Sequence, residues 1–80
     1  MKAYERLLNI NIKPLTVSKI NGLIAVDFLN CEVKEGMFLK TVYGLGHTFE
    51  EACEDYLAQI SGHTLIFDAY TKDRKSVTVI

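Results

Sequence analysis

The sequence predicts a small α+β domain, with helices packed on one face of an antiparallel sheet in the order α-β-β-β-α-β-β. Three observations carry that expectation. Asn21-Gly22 separates two alternating apolar runs, a helix with its own cap signals follows near residue 49, and two further alternating runs close the chain around a polar 71–75 segment.

The first element is a short helix over residues 2–9, in which Tyr4, Leu7 and Leu8 share a face while Glu5 and Arg6 point outward. From Ile10 the apolar residues alternate with Asn11 and Lys13, so the chain is expected to turn extended there. Pro14 disfavours helix at Lys13. The run Leu15-Thr-Val-Ser-Lys-Ile20 then meets Asn21-Gly22, the residue pair of a two-residue hairpin in which both central positions need positive φ. Pairing across it sets Ile20 opposite Leu23, Val17 opposite Val26 and Leu15 opposite Phe28. Leu15, Val17, Ile24, Val26 and Phe28 then fall on one face. Lys34-Glu35-Gly36 reads as the next turn. Residues 37–43 read as a third strand, central in the sheet because both its faces carry apolar groups.

Thr48-Phe-Glu-Glu51 has the form of a capping box, and Phe49, Ala52, Cys53, Tyr56, Leu57 and Ile60 recur at intervals of three and four. With Gly62 as a left-handed stop, the pattern predicts a helix over 49–61. Residues 64–70 and 76–80 form the closing hairpin. Eighty residues make one domain, 1–80, with no room for a second core.

Composition narrows the function. About half the residues are apolar and a quarter charged, which is globular usage. The formal charge is −1, whereas nucleic-acid-binding domains carry a basic excess. No apolar run is long enough to span a membrane. The N-terminus has a charge within its apolar part and no small-residue cleavage site, so it does not read as a signal peptide, and a cytoplasmic protein with free Cys31 and Cys53 is expected.

Chemistry finds little purchase. Cys31, His47, Cys53 and His63 lack the close pairs of a structural zinc site, and the histidines flank opposite ends of one helix, so no metal and no cofactor is expected. No Ser or Cys is tied to a His and an orienting acid, and so small a domain offers little room for a substrate cavity; the expectation is that it is not an enzyme. Gly44-Leu-Gly46 before a helix could cradle an anion, but Glu50 and Glu51 already complement the helix dipole and would repel a phosphate.

Two charged surfaces remain. Glu50, Glu51, Glu54 and Asp55 line the outer face of the 49–61 helix, which has no Lys or Arg to pair with them. The dipole explains the first two better than the second two, so the four together are a candidate surface for docking a basic protein partner. Lys72, Arg74 and Lys75 at the last hairpin are a candidate contact for nucleic acid or an acidic partner. The apolar strand Val77-Thr-Val-Ile80 would offer an edge for homodimerisation.

Three resemblances bear on these surfaces. Gly44, Gly46, Thr48 and Ala52 resemble the strand-to-helix corner of double-stranded-RNA-binding domains, although that family carries lysines where this chain has Phe49, Glu50 and Glu51. Gly46-His-Thr-Phe-Glu-Glu-Ala52 resembles the corresponding stretch of HicB-type antitoxins, which implies a small partner-binding domain without catalysis of its own. The chain as a whole looks like short proteins of bacteriophages and prophages of Gram-positive bacteria. The functional expectation is a non-enzymatic regulatory or inhibitory protein, carried by a phage or other mobile element and acting by protein–protein binding. A nucleic-acid-binding accessory module using the 72–75 region is the alternative.

Overall fold

A computed structural model describes residues 2–10 and 12–80. Its elements are α1 (Ala3–Ile10), β1 (Leu15–Ile20), β2 (Leu23–Phe28), β3 (Cys31–Glu35), β4 (Phe38–Lys40), β5 (Gly44–Gly46), α2 (Phe49–Ile60), β6 (Thr64–Phe67) and β7 (Lys75–Thr78). All strand pairs are antiparallel, and the strands divide into two sheets ordered β1-β2-β5 and β4-β3-β6-β7. The fold is therefore α+β as expected, with two more strands than the sequence reading placed.

The first hairpin has the predicted register, from Ile20 opposite Leu23 to Leu15 opposite Phe28. Asn21 and Gly22 both take positive φ, at 51° and 81°, as a type I′ turn requires. Helix α1 runs on through Ile10, so the chain is still helical where an extended segment was expected to begin; Asn11 lies outside the described residues. Its buried members are Ala3 and Leu7, while Leu8 is left exposed.

The middle of the chain departs most from expectation. Leu29-Asn30 turns the chain, with Asn30 at φ 52°, into β3, whose Cys31 and Val33 point inward. The following turn is centred on Gly36-Met37, between paired Glu35 and Phe38, so Lys34 and Glu35 belong to the strand. Residues 37–43 are not one central strand. Phe38–Lys40 is the edge of the second sheet, and three residues later the chain enters the first sheet as β5 beside β2. Met37 and Phe38, one from each of the expected faces, both stand exposed, so apolar groups on two faces do not mark a strand buried on both sides here.

Helix α2 runs from Phe49 to Ile60 and lies across β5 and β2, with α1 packed against it. Thr48 is its N-cap, its hydroxyl accepting from the Glu51 N–H at 3.1 Å. Ala52, Cys53, Tyr56, Leu57 and Ile60 are buried together with Val26, Phe28, Val33, Leu65 and Phe67. Phe28 stacks edge-on to Tyr56 and tilts against Phe67, both at 5.7 Å between ring centres. The Tyr56 hydroxyl accepts the Phe28 N–H at 3.1 Å inside this core. Every buried side-chain nitrogen and oxygen among the described residues has a partner.

The closing hairpin is shorter than expected. Strand β6 stops at Phe67 because Asp68 takes φ 52°, which leaves Tyr70 in the loop, and Lys75 begins β7. Beyond β7 the pairing continues through the Val79 N–H donating to His63 O and the Gly62 N–H to Val79 O, each at 2.9 Å.

Candidate functional site

Gly44 and Gly46 answer a packing need. Successive strand residues alternate sides, so the two glycines share the face of β5 that meets α2. A Cβ on Gly44 would lie 2.2 Å from the Ala52 carbonyl oxygen and 2.5 Å from Tyr56 Cβ. One on Gly46 would lie 2.5 Å from the Ala52 nitrogen. Neither residue has positive φ, so the requirement is for space. With Ala52 opposite, the three small residues let strand and helix backbones touch.

The acidic residues at this corner hold it closed. The Leu45 N–H donates to Asp55 Oδ2 at 2.8 Å, and the His47 N–H donates to Glu51 Oε1 at 3.2 Å. Glu51 thus reaches one residue further back than the capping box predicts. Gln59 braces Asp55 at 3.1 Å and donates to the Tyr43 carbonyl at 2.8 Å. Glu50 accepts the Ala3 N–H at 2.9 Å, across 47 positions of sequence, and so caps the neighbouring helix α1. Of the four acids proposed for partner binding, Glu50, Glu51 and Asp55 are committed to backbone amides. Glu54 is exposed and lines, with Lys2, Arg6 and Leu57, a groove of about 550 Å³ between the helices.

The nucleophile candidates are shut away. Cys31 and Cys53 are free thiols buried in the core. Burial pushes each from an ordinary 9.0 up to about 11; for Cys31 a hydrogen bond with Tyr56 opposes this in part. Held protonated in this way, the thiols are weak nucleophiles, although Cys31 borders a hollow lined also by Asp27, Asn30, Glu32 and Asp68. His47 and His63 are exposed at opposite ends of α2. No cluster of three His, Cys, Asp or Glu able to hold a metal occurs among the described residues. No helix of the described residues is long and apolar enough to cross a membrane.

The cationic loop is more informative than its charges suggested. Residues 68–74 are tied down from both directions. Asp68 pairs with Lys13 at 3.0 Å and accepts from Asn30 Nδ2 at 3.2 Å, and the Lys13 ammonium holds its carboxyl below the usual range. Its N–H donates to Asn30 O, and its carbonyl accepts from the N–H and hydroxyl of Thr71. The Asp73 N–H donates to the Thr71 hydroxyl, and Arg74 Nη1 donates to Ala69 O at 3.4 Å. This ordered loop presents Tyr70, 84% exposed, and Arg74. Both line a hollow of about 470 Å³ with Lys34, Met37, Phe38 and Leu39. Met37 is 97% exposed and Phe38 77%, so three large apolar side chains stand in solvent around one concavity. Lys72 and Lys75 are exposed but do not line it.

Met37, Phe38 and Tyr70 were not singled out from the sequence. For Met37 and Phe38 the signal was the apolar character on both faces of 37–43, which a buried central strand would share; Tyr70 carried none, since it read as the end of the 64–70 strand. At the far edge of the same sheet, β7 is terminal, which meets the condition for an edge through Val77, and Val77, Val79 and Ile80 border a hollow of about 400 Å³ with Ile10 of α1.

No family model, curated protein or solved structure matches the chain.

Proposed function

We propose that this is a non-enzymatic protein that regulates or inhibits a protein partner by binding it, in the manner of small phage-borne inhibitors and antitoxins. The observation that carries the reading is the exposure of Met37, Phe38 and Tyr70 around one hollow. Met, aromatic residues and Arg are the side chains enriched where proteins meet, and an exposed cluster of them around a concavity is a mark of an interaction surface. The acidic face of α2 contributes less to this reading than the sequence suggested, since three of its four acids serve the fold.

The test is quantitative affinity capture from a bacterial host, with the wild type compared against Met37→Ala/Phe38→Ala/Tyr70→Ala and against Glu54→Lys. The expected result is a discrete protein lost by the triple variant and kept by Glu54→Lys. Loss with Glu54→Lys alone would move the docking surface to α2. The alternative, nucleic-acid binding by Lys72, Arg74 and Lys75, draws on the exposure of Tyr70 beside Arg74. It predicts salt-sensitive mobility shifts with single- or double-stranded DNA or RNA. Pairing of two copies through the β7 edge is compatible with either reading and predicts a dimer in sedimentation at high micromolar concentration.

A further inference from the structure

We infer that the hollow beside β4 receives an extended, acidic segment of the partner protein, laid along the open edge of β4; this rests on the protein-binding reading above. Strand β4 is the last strand of its sheet, so among the described residues its outer row of backbone N–H and C=O groups faces no other strand. An added strand can pair there, as in other peptide-binding sheets. Register places the hollow at that edge. Leu39 pairs with Lys34 and both line it, so they share the face of the sheet on which it lies. A strand added at β4 would turn every second side chain toward Leu39, Lys34, Tyr70 and Arg74.

The lining sets the chemistry of those side chains. It is apolar at Met37, Phe38, Leu39 and Tyr70, and its charged members are Lys34 and Arg74, with no Asp or Glu. An aliphatic or aromatic residue flanked by Asp or Glu complements it. A nucleic acid fits less well, because its affinity comes from neutralising many phosphates and only two cations line this site. Met37 adds a flexible thioether, which adapts to side chains of varied shape. The hydrogen bonds within residues 68–74 fix the loop backbone that carries Tyr70 and hold the Arg74 guanidinium, so less ordering opposes binding.

The experiment is selection of a displayed library of random linear peptides on the immobilised 80-residue protein at physiological ionic strength. Enriched peptides are expected to carry Asp or Glu beside Leu, Ile or Phe. The Lys34→Glu/Arg74→Glu variant should select Lys- or Arg-bearing peptides instead. Phe38→Ala/Tyr70→Ala should weaken an individual acidic peptide at least about tenfold. All four side chains belong to exposed or loop positions, and a native circular dichroism spectrum verifies that each variant folds. N-methylation of the peptide backbone should abolish binding at alternate positions only, the signature of strand addition.

Acidic peptides that bind the charge-reversed variant equally well would overturn the inference. So would peptides indifferent to every variant at this hollow, although these would leave the protein-binding reading intact. A library yielding no enriched peptide would also overturn the segment, and salt-sensitive binding of an oligo-dT or oligo-U strand in its place would remove the protein-binding reading as well.

Discussion

Adding one methyl group at Gly44 sets two physical effects against each other. The backbone there is not in the left-handed region, so alanine is conformationally permitted. By chain entropy alone, Gly44→Ala should stabilise the protein by about 0.4–1 kcal/mol. The structure predicts the opposite sign. The new Cβ would lie 2.2 Å from the Ala52 carbonyl oxygen, where ordinary contact begins at 3.4 Å. The obstructing atoms are the Ala52 carbonyl oxygen, the Tyr56 nitrogen and Tyr56 Cβ, none of which can rotate away, so α2 would have to retreat by about 1 Å from β5, and overpacking of this kind costs about 1–3 kcal/mol. Retreat also loosens Ala52, Cys53, Tyr56 and Ile60, all buried to 1% exposure or less, which places the expected loss at about 3 kcal/mol. A domain of this length has only about 4–12 kcal/mol in total. Urea unfolding followed by circular dichroism should show the midpoint falling by about 2–3 M. Gly22→Ala is the control, because nothing lies within 4 Å of its Cβ and only its φ of 81° is strained. It should cost about 1 kcal/mol. A Gly44→Ala midpoint equal to or above wild type would refute the close-packing account of this corner.

Three further outcomes follow from the geometry. Tyr56→Phe leaves the buried Phe28 N–H without its acceptor and should cost about 1–3 kcal/mol in urea unfolding, with faster hydrogen exchange at the Phe28 amide; an unchanged midpoint would contradict the bond. Glu50→Ala removes the cap on α1 and should cost about 1 kcal/mol, with exchange accelerated in the first turn of α1 and not in the sheets. Cys31 and Cys53, held up at about 11, should react slowly with a thiol reagent in the native protein and fully after unfolding. Because the folded state keeps protons that the unfolded chain releases, their contribution is complete below pH 9 and is lost as pH rises from 9.0 through about 11; a urea midpoint that rises over that interval would contradict their burial.

The parts of the fold legible in the sequence were those set by local chemistry. Asn21-Gly22 fixed a hairpin register, and Thr48 with the three–four apolar spacing placed α2 to within a residue. Longer-range effects hid the rest. Five-residue β3 offers only Cys31 and Val33 as inward positions, too few to stand out. In β5 the two glycines lower strand propensity, and the reason for them, the backbone of α2, is a tertiary partner. The acidic helix face misled in a related way. Asp55 looked unexplained because its partner, the Leu45 N–H, lies on a strand that was read as a corner, and Glu50 reads as a dipole charge of its own helix because its actual partner, the Ala3 N–H, begins another helix. The exposed cluster was harder still. Periodicity reports that Met37, Phe38 and Leu39 are apolar, whereas only the division into two sheets puts β4 at an edge, and only the φ of Asp68 turns Tyr70 out of β6.

If the proposed partner docks on the β4 edge and the 68–74 loop, amide hydrogen exchange of the protein, alone and with its captured partner, should slow at residues 36–40 and 69–74 and nowhere else. Protection along the outer face of α2, with those two segments unchanged, would contradict that docking.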